Sequence, residues 1–177
     1  MLKKYVIDLF VTFRFFLVIG VFMALFILAF YIPVTEPIAL SLFFLFMILC
    51  VADYVFLFMA KKVISAKRIT AGRLSNGDEN SIEFVIKNEL SFLLRVKIID
   101  ELPEQFQERN WEKHVTLNRH QQKKIQWYLR PLQRGEYYFG DIHLFISSPL
   151  QLVIRRVTID AGETIPVYPS FVQLHKY

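Results

Sequence analysis

Two long apolar runs near the N-terminus, separated by the pentapeptide PVTEP, constrain this chain more than anything else in it. Phe15 to Ile32 is eighteen residues without a charge, and Ile38 to Ala60 is twenty-three residues interrupted only by Asp53. Coiled as a helix, the first run reaches about 27 Å, close to the ~30 Å hydrocarbon thickness of a bilayer. The two prolines and the glutamate between the runs suit a tight turn at a membrane surface. A secretory signal would be shorter, would end in a small-x-small cleavage site and would not be followed by a second span. The expectation is therefore a two-helix transmembrane hairpin over residues 1–62, with spans at about 12–32 and 38–60.

Charge falls almost entirely outside that hairpin. Residues 1–60 carry six charged side chains: Lys3, Lys4, Asp8, Arg14, Glu36 and Asp53. Residues 61–177 carry the other thirty-one, eighteen basic and thirteen acidic, and their excess equals the whole-chain net charge of +5. They read as a water-soluble domain over 63–177. Its modest positive excess suits a surface beside anionic lipid. Lys and Arg precede the first span and follow the second, while the turn has neither. The positive-inside rule then places both termini in the cytoplasm, with only the Pro33–Pro37 turn outside. The single cysteine, Cys50, lies within the second span, so no intramolecular disulfide can form.

An ionisable group in hydrocarbon ordinarily faces a partner. In a hairpin centred on Thr35, Asp53 is level with Leu17, and Arg14 lies about one helical turn nearer the cytoplasm. One reading is an Arg14–Asp53 ion pair that locks the hairpin register. The other is that each side chain reaches independently into the inner headgroup layer.

Beyond Lys62 the period changes from helical to alternating. Ile82, Phe84 and Ile86 share one face, as do Phe92, Leu94, Val96 and Ile98, and then Ile125, Trp127 and Leu129. EYYFGDIHLFISS, QLVIRRVTID and ETIPVYP continue in the same way, with turn signals at Asn76-Gly77-Asp78 and Ala161-Gly162-Glu163. About eight strands in so short a segment point to an all-β domain, an antiparallel immunoglobulin-like β-sandwich. LPEQFQERNWEK is the longest irregular connection. Pro103, Glu104, Phe106, Glu108 and Trp111 make it a candidate partner-contact loop.

Chemistry-bearing motifs are scarce. His114, His120, His143 and His175 stand at no metal-ligand spacing, and no phosphate loop, nucleophile elbow or zinc-protease motif occurs. Arg119, Lys123, Lys124, Arg130, Arg134, Arg155 and Arg156 interleave with aromatics, as single-strand nucleic-acid binders do. The acids are nearly as numerous, however, and Trp127 alternates in phase with the core. No nucleic-acid partner, cofactor, metal or catalytic residue is expected.

RPLQRGEYYFGDIHLFISSPLQL, followed by IPVYP, resembles a bacterial family. The matching residues are Arg134, Gly135, Tyr137 and Gly140, then Pro149, then Val167, Tyr168 and Pro169, with DELPEQF upstream. The family is the domain of unknown function 58, membrane proteins associated with MoxR-type AAA+ ATPases. There, two N-terminal spans precede a β-sandwich, and a von Willebrand factor A-like domain follows. The chain differs at Ser148-Pro149-Leu150-Gln151-Leu152, where the family has Asp-Pro-Phe-Gly-Leu, and it has no Asp-x-Ser-x-Ser metal-adhesion motif. The resemblance implies either continuation past Tyr177 or a shortened relative. It also implies a membrane-anchored adaptor whose partners are a MoxR-type ATPase and von Willebrand A-domain membrane proteins. Two alternatives stand beside that: a structural subunit of a larger membrane assembly, contacted through its hairpin, and a module whose active part lies beyond Tyr177.

Overall fold

A computed structural model of the protein describes residues 8–60, 62–107 and 111–169. The chain divides into two compact units. One contains both apolar runs together with Ile146–Arg156; the other contains Lys62–Phe145 and the chain from Val157 onward. The segment Ile146–Arg156, expected within the sandwich domain, thus groups with the helices.

In the first unit a short strand β1 (Leu9–Val11) leads into helix α1 (Phe13–Tyr31), a 3-10 turn at Pro33–Thr35, and helix α2 (Glu36–Phe58). Pro37 is tolerated in the first turn of α2, where its missing N–H would have had no intrahelical partner. The Thr35 hydroxyl donates to the Ile32 carbonyl at 2.8 Å and helps close the turn. The helices meet through phenylalanine rings: Phe22 packs on Phe43 and Phe46, and Phe15 on Phe46, with centroids 5.5–5.6 Å apart. Ala29 and Ala39 are buried near the turn, where small side chains let the backbones approach. Most other apolar side chains point outward, among them Phe13, Phe16, Met23, Phe30 and Phe44. Both helices are long and apolar enough to cross a membrane.

The second unit is an immunoglobulin-like β-sandwich. Its strands are β2 (Ile64–Ile69), β3 (Leu74–Ser75), β4 (Asn80–Asn88), β5 (Leu94–Asp100), β6 (Glu112–Leu117), β7 (Gln122–Leu129) and β8 (Gly135–Phe139), then β9 (Ile142–Ser147), β10 (Val153–Ile159) and β11 (Glu163–Tyr168). The end of β9, the first half of β10 and the tip between them, all within Ile146–Arg156, belong to the first unit. The orders are β2-β4-β7, β3-β11-β8, and β10-β9-β5-β6. β2 and β4, β4 and β7, β5 and β6, and β8 and β11 pair antiparallel, whereas β3 and β11 run parallel with Val167 opposite Leu74.

The expected faces form the core, except that Phe92 and Ile125 are only half-buried. Ile82, Phe84, Ile86, Leu94, Val96 and Ile98 are buried, and Phe84 stacks on Trp127 at 4.2 Å. Among the described residues, ten strands beyond Lys62, β2 to β11, replace the expected eight or so. EYYFGDIHLFISS is two strands, because the chain bends at Gly140-Asp141. At that bend Gly140 lies so close to Glu101 that a Cβ would stand 2.8 Å from the Glu101 Cβ.

Candidate functional site

Asp53 lies near the end of α2 with no exposed surface. Its Oδ2 accepts the backbone N–H groups of Leu152 and Val153, each at 3.1 Å. Arg14 is exposed on α1 and makes no ion pair with it, so the expected Arg14–Asp53 bridge is not formed. The reason is local. Two amides at the start of β10 need acceptors, and the carboxylate supplies both. Asp53 Oδ1 is buried without a hydrogen-bond partner among the described residues, while Thr12 and β1 meet backbone groups of the same tip. Thr12 donates its hydroxyl to the Gln151 carbonyl at 2.6 Å and its N–H to the Leu152 carbonyl at 3.2 Å. β1 pairs antiparallel with β10, Leu9 opposite Arg155 and Val11 opposite Val153.

Arg155 Nη1 donates to the carbonyls of Leu57 at 2.5 Å and Ala60 at 3.3 Å, where the end of α2 leaves acceptors unpaired. Its guanidinium also lies 5.2 Å from the Phe58 ring centroid. Arg156 meets Asp8 at 3.3 Å. Two members of the basic set thus hold the first unit together, a role that their place in a strand-like run conceals.

In the second unit the candidate loop divides. Trp111 is only 8 % exposed and packs on Trp127 and Phe84 at 4.4 and 5.5 Å, so it is core rather than contact surface. Pro103 is buried, and half-buried Phe106 packs on Tyr137 at 5.1 Å. Glu108 lies outside the described residues. What the loop presents to solvent is Glu104 and Gln105, on a 3-10 turn closed by Gln107 in a left-handed conformation. Beside this turn a cleft of about 620 Å³ opens against β8, its carboxylates contributed by Glu101, Glu104 and Glu136.

Behind the loop, buried Arg68 and Asp100 form an ion pair at 2.6 Å, and Arg68 Nη2 donates to the carbonyls of Gly140 at 3.1 Å and Ala161 at 2.5 Å. Burial pushes the Asp100 carboxyl up to about 6, against the opposing pull of Arg68. His143 lies between Glu101 Oε1 at 2.7 Å and Thr158 Oγ1 at 3.1 Å. Its hydrogen bond holds the Glu101 carboxyl below the usual range. Each of these polar groups ties turns and strand ends to one another. Among the described residues no three His, Cys, Asp or Glu side chains sit together in a way that could hold a metal ion.

The residues of the family resemblance occupy scaffold positions. Gly135 takes a φ of 140°, which a side chain would resist. Buried Tyr137 donates its hydroxyl to the Gln133 carbonyl at 3.0 Å, closing the turn that contains exposed Arg134. Val167 is buried, Tyr168 and Pro169 are exposed, and Pro149 lies in the β9–β10 tip.

No protein-family profile matches the chain, and no curated protein sequence does. Solved structures to which it is similar include the ASH/PapD-like domain of human CEP192, at 11% identity and a TM-score of 0.46, covering 62% of this chain and 87% of that one. The CARDB domain of PF1109 from Pyrococcus furiosus is similar at 13% identity and a TM-score of 0.40, covering 59% and 94%. The C-terminal domain of wzt is similar at 11% identity and a TM-score of 0.40, covering 63% and 77%.

Proposed function

We propose that this chain is a non-enzymatic, membrane-anchored interaction protein. In this reading α1 and α2 cross a bacterial inner membrane, both termini are cytoplasmic, and the β-sandwich is offered to other proteins at the inner face. The observation that carries it is a pairing of two unlike surfaces. Helices with outward-facing Phe13, Phe30 and Phe44 suit lipid. The sandwich keeps its buried charges, Arg68 and Asp100, on each other and on backbone carbonyls. Orientation rests on the Lys and Arg residues that flank the spans and are missing from the turn. The family resemblance supplies the partner class: a MoxR-type AAA+ ATPase and von Willebrand A-domain membrane proteins.

A second reading makes the chain a structural subunit of a larger membrane assembly, contacted through its hairpin. The aromatic outer faces of α1 and α2 favour it, since they would pack on other spans as readily as on lipid.

Gentle detergent extraction of the full chain from native membranes, followed by mass spectrometry, separates the two. Recovery of an AAA+ ATPase that is lost on Glu104→Lys/Glu136→Lys and retained on Phe30→Ala supports the adaptor. Recovery of integral membrane subunits alone, unaffected by the sandwich substitutions, overturns it.

A further inference from the structure

Among the described residues β8 is an edge strand: it pairs with β11 on one side and with no strand on the other. The register decides which of its backbone groups are free. Glu136 stands opposite Pro166, and proline has no N–H to exchange in a hydrogen-bonded pair. Glu136 is therefore at a non-hydrogen-bonded position, with its own N–H and C=O turned away from β11. Tyr138, two residues on and opposite Thr164, is turned the same way. Both line the cleft beside the Leu102–Gln105 segment.

That cleft exists because a strand-like approach is broken off. The Glu101 carbonyl accepts the Gly140 N–H at 2.8 Å, just past the end of β8. Pro103 and the 3-10 turn then lead the chain away. Among the described residues the only hydrogen bond on the free edge comes from Gln105 Nε2 to the Glu136 carbonyl at 3.3 Å. The Tyr138 N–H and C=O and the Glu136 N–H are left for water or for an added strand.

Charge selects the occupant. Among the described residues, Glu101, Glu104 and Glu136 line the cleft with no Lys or Arg beside them, on a chain of net charge +5. Glu101 is engaged by His143, whereas Glu104 and Glu136 meet no cation among the described residues. A second copy of β8 would bring its own Glu136 against them, and like charges on neighbouring strands repel.

We propose that the free edge of β8 takes an extended basic segment of a partner protein as an added strand. The segment's backbone pairs with Glu136 and Tyr138, and its Lys or Arg side chains meet Glu104 and Glu136. Gln105 holds the Glu136 carbonyl until the segment displaces it. This rests on the adaptor reading and names the surface through which it acts.

The test uses the full chain in nanodiscs and a fluorescent peptide of about six residues, a usual strand length, alternating Lys and Val. Three comparison peptides carry Glu in place of Lys, N-methyl groups on one backbone edge, or both. Binding is read by anisotropy, and amide exchange is read at Glu136 and Tyr138. The Lys peptide is expected to protect both amides and the N-methylated peptide to lose binding. Glu104→Lys/Glu136→Lys is expected to weaken binding by about tenfold or more, and Gln105→Ala to bind at least as tightly as the parent.

Equal binding of the N-methylated peptide, protection elsewhere than β8, or indifference to the charge reversals would overturn the proposal. So would β8 protection that rises with protein concentration and without peptide, which would mark self-association. If the peptide fails while an ATPase still co-purifies through the sandwich, only the β8 site falls. If both fail, the adaptor reading falls with it.

Discussion

Asp53 and Val153 stand a hundred residues apart in sequence, yet the Asp53 carboxylate accepts the Val153 N–H at 3.1 Å and shares the same oxygen with Leu152. A charged residue in an otherwise apolar run is thus not half of an ion pair with Arg14. It satisfies two backbone donors at the start of a strand. Leucine at this position would fit the helix and leave both donors unmet. Asp53→Leu should therefore destabilise the full chain in detergent by about 1–3 kcal/mol for each orphaned amide. Asp53→Asn, which keeps an acceptor oxygen, should cost less. In a double-mutant cycle with Arg14→Ala, thermal unfolding should give additive effects within about 0.5 kcal/mol. A larger coupling would restore the ion pair.

Trp111 separates the core from the contact surface of the irregular loop. Its ring is sandwiched with Trp127 and Phe84, so Trp111→Ala should cost about 3–5 kcal/mol of stability. Partner binding per folded molecule should not change. Denaturation followed by a binding titration on the surviving folded fraction checks both halves.

Asp100 gives the sandwich a pH dependence of unusual sign. Its carboxyl is raised from 3.8 to about 6 by burial, so the folded chain holds this proton more tightly than the unfolded chain does. Its contribution is fully present below pH 4 and is lost as pH rises through about 6. The lost contribution is on the order of 3 kcal/mol. Unfolding free energy measured across this window should therefore slope downward with rising pH. Asp100→Asn should flatten that slope while also lowering stability, because it takes the charged partner from buried Arg68. An unchanged slope in the variant would show that another group sets it.

Gly140 is a position where the side chain itself is the obstacle. A Cβ there would crowd Glu101 at 2.8 Å from its Cβ, at the point where the Gly140 N–H bonds the Glu101 carbonyl. Gly140→Ala should destabilise by about 1–3 kcal/mol, whereas Gly72→Ala, in open space, should change little. Chemical denaturation of the two variants makes the comparison.

Alternation made much of the sandwich legible in advance. Ile82, Phe84 and Ile86, then Leu94, Val96 and Ile98, carry the period of two undisturbed, and Trp127 keeps phase with them. β2 was hidden because its polarity is inverted: Arg68 is buried against Asp100 while Ile69 is 45 % exposed. β6 was hidden because Glu112, Lys113 and His114 are all exposed and offer no alternation in its first half. Asp53 itself stands out in its apolar run, but its partners leave no sequence signal, since they are backbone amides, which every residue but proline has. The open edge of β8 is visible only once the register sets Pro166 opposite Glu136.

The measurement that bears most directly on a membrane-anchored, inward-facing sandwich is cysteine accessibility in intact bacterial cells. In a Cys50→Ala background, Val34→Cys reports on the turn between the helices and Leu132→Cys on the sandwich; both native side chains are well exposed. A membrane-impermeant maleimide should label the turn in intact cells and the sandwich only after permeabilisation. Labelling of the Leu132→Cys chain from outside intact cells, or release of the protein from membranes by salt alone, would contradict the account.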